Sequence, residues 1–165
     1  MILDNFEQVV SAGSQLSDLL NSAPGLKLLV TSREPLRLRT ETEYKVPPLG
    51  LPEGGAQQTI AHLENCEAIQ LFVQSAERAR ADLKLTDENV GTVAAICQKL
   101  DGLPLALELA ALRTKVLSVY EILAKLENSL SLLTGGSRDM PDRQQTMRGA
   151  LDWSFGLLTP REAAM

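Results

Sequence analysis

The chain has 165 residues, 44% of them hydrophobic and 22% charged, and a formal net charge of −5. That length allows one or two compact domains with a real core, and the balance of apolar and charged residues excludes a disordered chain. The acidic balance also excludes a general pull toward nucleic acid, which needs a concentrated basic face, so no direct nucleic-acid contact is expected.

Met1-Ile2-Leu3 reads as the end of a buried strand, with Asp4 at its carboxyl edge. Asn5 with Gln8 three residues on has the spacing of a capping box, and Val9, Ala12, Leu16, Leu19 and Leu20 follow at helical spacing. Asn21 to Gly25 breaks that helix, and Leu26 to Val30, ending in Thr31-Ser32-Arg33, reads as a second buried strand. Strand, helix and strand within about 30 residues form a βαβ unit, which requires a parallel pair. Tyr44 to Val46 is a possible third strand closed by Pro47-Pro48, and Leu49 to Gly55 is the best linker candidate.

The pattern then becomes helical. Asn65 is placed to cap a helix carrying Ala68, Ile69, Phe72, Val73 and Ala76. Thr86 is placed to cap the next, with Val90, Val93, Ile96, Cys97 and Leu100 on one face and Gly102 as its stop. Pro104 opens a third helix that is apolar nearly all round through Leu112 and therefore buried. Ser118 with Glu121 forms another capping box, Gly135-Gly136 marks a boundary, and a helix from about Asp142 to Leu158 follows. Thr159-Pro160-Arg161-Glu162 is a further helix start.

Leu103 to Leu112, the greasiest stretch, contains Glu108 and is too short to span a bilayer, so no membrane contact is expected. The amino terminus lacks a basic n-region, and the expected compartment is the cytoplasm. Cys66, Cys97 and His62 are isolated, without a CxxC, and read as core or surface residues rather than metal ligands.

Three places can carry chemistry. Asp4 lies where open α/β sheets bind ligands, and Glu7, one turn on, can polarise a water or simply be a solvated first-turn glutamate. Arg33 ends the neighbouring strand on the same edge, where a guanidinium can reach a phosphate through charge-assisted hydrogen bonds. Arg37 and Arg39, in an extended segment, are expected to face solvent. Asp101-Gly102-Leu103-Pro104 joins two helices; by itself it reads first as a plain helix corner, with Gly102 relieving a left-handed turn.

The order ILDNFE, LLVTSREPL, YKVPPL, EAIQLF, DGLPLALELAA and RQQTMRGALDWSFGLL resembles STAND NTPases of the NB-ARC/AP-ATPase type, over essentially the whole chain. The similarity is greatest to the ATPase module of LuxR-like and SARP-like bacterial transcriptional regulators. It implies an α/β remnant of a P-loop NTPase sheet, followed by a mainly helical lid and the start of a winged-helix domain. The corresponding boundaries are residues 1–54, 55–137 and 138–165. It further implies Asp4 as the Walker B aspartate holding Mg²⁺ through water, with Glu7 beside it as the other catalytic candidate. Arg33 becomes sensor 1, and Gly102, Leu103 and Pro104 the lid's contact with the nucleotide.

The departures from that pattern define the expectations. No GxxxxGK[ST] occurs among the 165 residues, and Asn5 stands where relatives often carry a second acid. The fragment alone is therefore expected to hold no ATP, ADP or Mg²⁺, although full-length members do. Its expected partners are the missing P-loop region and a C-terminal sensor domain, with self-association possible. Two other readings stand beside this one: a non-enzymatic, degenerate helical interaction module, in which Leu103 to Leu112 and the Trp153/Phe155 helix serve packing or partner docking only, and a partner that receives its P-loop from another chain.

Overall fold

The structure, a computed structural model, describes residues 1–52, 60, 65–128, 132–134, 136 and 145–156, of which 127, 128 and 152–156 are described by backbone alone. The chain divides into two compact units, Met1–Val46 and Pro47–Met165. The break falls ahead of the sequence-based boundary at residue 54. His62, Gly135 and the helix start at Thr159 lie outside the described residues, as do the side chains of Trp153 and Phe155.

In the first unit, β1 (Ile2–Leu3) pairs in parallel with β2 (Leu29–Val30), Ile2 opposite Leu29 and Leu3 opposite Val30. Two 3₁₀ turns, Phe6–Gln8 and Val10–Ala12, and then α1 (Gly13–Ser22) join them. The strands are shorter and more open than the sequence reading required, for Ile2 is 71% and Leu29 63% exposed. A two-stranded pair leaves an edge and a face on each strand uncovered. Burial among the described residues of this unit is confined to Phe6, Gly13 and Leu16.

The expected Asn5–Gln8 capping box does not form. Asn5 takes the left-handed conformation (φ 56°, ψ 42°), and its side chain donates to Asp4 Oδ2 at 3.4 Å instead of capping the helix. Asparagine is one of the few residues that enter this region readily, so the same residue type that signals a cap serves here as a corner. Regular α-helix begins only at Gly13, which leaves Val9 half-exposed. Among the described residues the third strand is also absent: residues 44–46 have no ladder partner there, and Tyr44 and Val46 are 82% and 79% exposed. Pro47 and Pro48 behind them have no amide protons to offer a neighbour.

The second unit holds α2 (Glu67–Ala79), α3 (Val90–Lys99), α4 (Pro104–Leu112), α5 (Val119–Asn128) and α6 (Met147–Gly156). Ala68, Ile69, Phe72 and Ala76 recur at helical spacing and give α2 a buried stripe, which packs chiefly on α4. α4 is buried round most of its circumference through Ala106, Leu107, Leu109, Ala110 and Ala111. α3 packs on α5 through the same core, which includes Val93, Ile96, Cys97 and Ile122. Burial raises the Cys97 thiol to about 12, with a smaller push from Cys66, so it behaves as a small core residue.

Local signals near helix ends fare unevenly. Pro104 occupies the first turn of α4, and Ser118 and Glu121 form their box: the Glu121 carboxylate accepts the Ser118 amide at 2.8 Å, and Ser118 Oγ accepts the Glu121 amide at 3.3 Å. Asn65 does not cap α2; Cys66 holds the cap position without a side-chain bond to the helix amides, and the Ala68 amide donates to Gly50 O at 3.3 Å. Thr86 does not cap α3 either. Asn89 precedes that helix, its Oδ1 accepting the Thr86 amide at 2.9 Å and its Nδ2 donating to Lys84 O at 2.8 Å.

The linker expected at Leu49 to Gly55 is not one over the part described. Leu49 packs on the core, Pro52 is buried, and Pro52 O accepts Gln98 Nε2 at 3.0 Å. Beyond α4, Arg113 fastens the following segment by donating from Nε to Leu132 O at 2.8 Å and from Nη2 to the Thr134 hydroxyl. The Met147 amide then donates to Leu133 O at 2.9 Å, so α6 starts from an anchored point.

The surface carboxylates Glu41 and Glu121 carry a pH dependence. Glu41 accepts the Leu36 and Leu38 amides, each at 3.0 Å, closing a loop in which Arg37 is left-handed (φ 56°). Those backbone bonds, Leu36 first, hold Glu41 below its ordinary value of 4.5, and the Ser118 bonds do the same for Glu121. A depressed folded-state value means the stabilisation is complete above the unfolded value and is lost as pH falls through the folded one. Stability is therefore expected to decline below about pH 4.5. In an acid titration followed by circular dichroism, Glu41→Gln and Glu121→Gln together are expected to lower stability at pH 7 and flatten that decline; an unchanged slope would contradict the assignment.

Candidate functional site

In the first unit the strand pair brings the two candidate residues' strand ends together. The Thr31 amide donates to Leu3 O at 2.9 Å, which continues the ladder one residue past β2. The chain then closes over it: the Phe6 amide donates to Thr31 O at 2.9 Å and the Asn5 amide to Thr31 Oγ1 at 3.0 Å. The Thr31 hydroxyl in turn donates its proton to Asp4 Oδ1. Asp4 is thus held from one side by a hydroxyl and from the other by the Asn5 side-chain amide, while remaining exposed. Such neighbours fix a carboxylate's direction.

Glu7 and Arg33 meet at the same edge. Glu7 Oε1 lies 3.4 Å from Arg33 Nε, with the Glu7 side chain only 9% exposed and Arg33 43%. Arg33 makes a further interaction as well. The arrangement leaves a positioned guanidinium and a positioned carboxylate on one sheet edge, a set that orients anions and cations rather than one that supplies a nucleophile. Among the described residues no cluster of three or more Asp, Glu, His or Cys could hold a metal ion, so Asp4 stands as a single carboxylate with Thr31 beside it. Sequence reasoning placed Asp4 and Arg33 at this edge but missed Thr31, which at a strand end reads simply as a β-former.

Gly102, Leu103 and Pro104 lie in the second unit, at the turn between α3 and α4. The turn is a Schellman closure: the Gly102 amide donates to Cys97 O at 3.3 Å and the Asp101 amide to Gln98 O at 3.1 Å. The left-handed C′ position is therefore Asp101 (φ 51°), not Gly102 as the sequence implied, although Gly102 is left-handed too (φ 65°). Gly102 is required for a second reason, since a Cβ there would sit 2.4 Å from Leu49 O. Leu103, 43% exposed, and Pro104 present apolar surface beyond the turn.

Comparison with known proteins adds an origin to this geometry. The chain is 37% identical over 163 residues to "Putative HTH-type transcriptional regulator Rv0890c" of Mycobacterium tuberculosis, and equally to its Mycobacterium bovis counterpart Mb0914c. The chain is homologous to a segment of bacterial proteins named as transcriptional regulators. That match covers 98% of the chain but 17% of each regulator. A second M. tuberculosis relative, "Uncharacterized protein Rv0894", is 38% identical over 166 residues, covering the whole chain and 39% of that protein. No family model and no solved structure matches the chain. Among the described residues no helix is long and apolar enough to cross a membrane.

Proposed function

We propose that this chain is part of a STAND-type ATP/ADP-binding regulatory switch within a bacterial transcriptional regulator. The observation that carries the reading is the sheet edge where Asp4, oriented by Thr31 and Asn5, stands with Arg33, held by Glu7. The relatives named as transcriptional regulators support the regulatory part. The sequence resemblance supports the nucleotide part.

On this reading Arg33 contacts the terminal phosphate of ATP, and its bonds are lost when that phosphate leaves. Glu7, whose carboxylate faces Arg33, aims the guanidinium rather than activating water. Asp4 fits a hydrated Mg²⁺, because a lone carboxylate with a neighbouring hydroxyl suits an ion that keeps most of its waters. The ion, when bound, neutralises charge on the phosphates. Hydrolysis is slow or absent, since Asn5 cannot serve as a carboxylate base.

The lack of GxxxxGK[ST] among the 165 residues favours a second reading for the chain by itself, a helical interaction module that binds no nucleotide. Calorimetry separates the two. The chain alone is expected to show no ATP binding, whereas a polypeptide supplying a strand and GxxxxGK[ST] ahead of residue 1 is expected to bind ADP with Mg²⁺. If that extended polypeptide binds neither nucleotide, the switch reading fails and the interaction module stands.

A further inference from the structure

Residues 42–48 and residues 49–52 are adjacent in sequence and opposite in character. Every residue from 42 to 48 is exposed, and none of them hydrogen-bonds to another described residue. Of the next four residues three are fastened, all but the exposed Leu51. The Leu49 amide donates to Gly102 O at 3.1 Å, and Leu49 O fills the space a Cβ on Gly102 would need. The Gly50 amide donates to Glu67 Oε2 at 3.0 Å. Gly50 O accepts both the Ala68 amide at 3.3 Å and the Cys66 thiol at 3.2 Å. Pro52 O accepts Gln98 Nε2 at 3.0 Å.

These bonds give the segment two tasks at once. A helix leaves its first amides without intrahelical partners, and Gly50 supplies one for α2 where no side chain caps it. Leu49 closes on the Asp101–Pro104 turn at the other side. We propose that Leu49–Pro52 is a releasable latch: seated, it fixes the α3–α4 turn and the start of α2 together, and it comes away without unfolding the helices. Its fastenings suit release. They are a few polar bonds, one half-buried leucine resting on the core and one buried proline, on a four-residue stretch reached by a seven-residue exposed tether, whereas each helix contributes several fully buried side chains to the shared apolar core. The latch stands on its own bonds, whether or not the turn touches a nucleotide.

The two cysteines read the latch directly. The Cys66 thiol is engaged by Gly50 O, and Cys97 lies fully buried in the helical core. With the full chain and an aromatic disulfide reagent, located by peptide mass spectrometry, Cys66 is expected to react while Cys97 does not. Removing two fastenings by E67A/Q98A is expected to speed Cys66 about tenfold and to cut hydrogen-exchange protection of the Leu49 and Gly50 amides by a like factor, leaving the α4 amides unchanged. Glu67→Ala alone, a milder change, is expected to move the same readouts in the same direction. Reaction of Cys66 and Cys97 at one common rate in the native chain, or an unchanged Cys66 rate in both variants, would overturn the proposal.

Discussion

Replacing Gly102 by alanine is expected to destabilise the second unit by about 3 kcal/mol, the sum of a left-handed penalty of about 1–2 kcal/mol and an overpacking cost of about 1–3 kcal/mol. Both terms are visible. The residue has φ 65°, and the added Cβ would lie 2.4 Å from Leu49 O, a backbone atom that cannot swing aside as a side-chain tip would. The neighbouring position gives the contrast. Asp101 is also left-handed (φ 51°) but occupies the C′ site of a Schellman closure, where glycine is the preferred residue. Asp101→Gly is therefore expected to be neutral or to stabilise by up to about 1 kcal/mol. Urea denaturation followed by helical circular dichroism measures both. A Gly102→Ala cost below the Asp101→Gly effect in size would show that the Leu49 strap yields easily.

A larger loss is expected from Phe72→Ala, about 4 kcal/mol by analogy with fully buried aromatic truncations. Phe72 is fully buried on the α2 stripe that packs against α4, so its removal leaves a cavity between the two most closely associated helices. Domains of this size are stable by only about 5–15 kcal/mol, and the variant should sit near the threshold of folding. Leu103→Ala is the control: at 43% exposure it should change stability by no more than about 0.5 kcal/mol. Comparable midpoints for the two variants in the same urea series would mean that the α2–α4 interface is not the core of the unit.

The helical unit was readable from sequence where its determinants are local. The Ile69–Phe72–Ala76 spacing, Pro104 and the Ser118–Glu121 pair act within one or two turns, and the helices follow them. Misreadings arose where the partner is distant. The cap of α2 is Gly50 O, from a segment that looked like a linker because it is rich in proline and glycine. In the first unit the order of strand and helix was legible, yet burial was not, because burial depends on what covers a strand and apolar composition alone cannot supply the cover. At the sheet edge, Asp4 and Arg33 could be placed by strand position. The Thr31 hydroxyl on Asp4 and the Glu7 carboxylate facing Arg33 required the turn geometry set by a left-handed Asn5.

The central claim, that Arg33 at this edge reads a terminal phosphate, is tested most directly by calorimetry on the polypeptide extended to include a phosphate-binding loop. Arg33→Ala is expected to weaken Mg²⁺–ATP binding about tenfold, the value of one charge-assisted contact, while changing ADP binding by less than about twofold. Equal losses for ATP and ADP, or no loss for either, would contradict it.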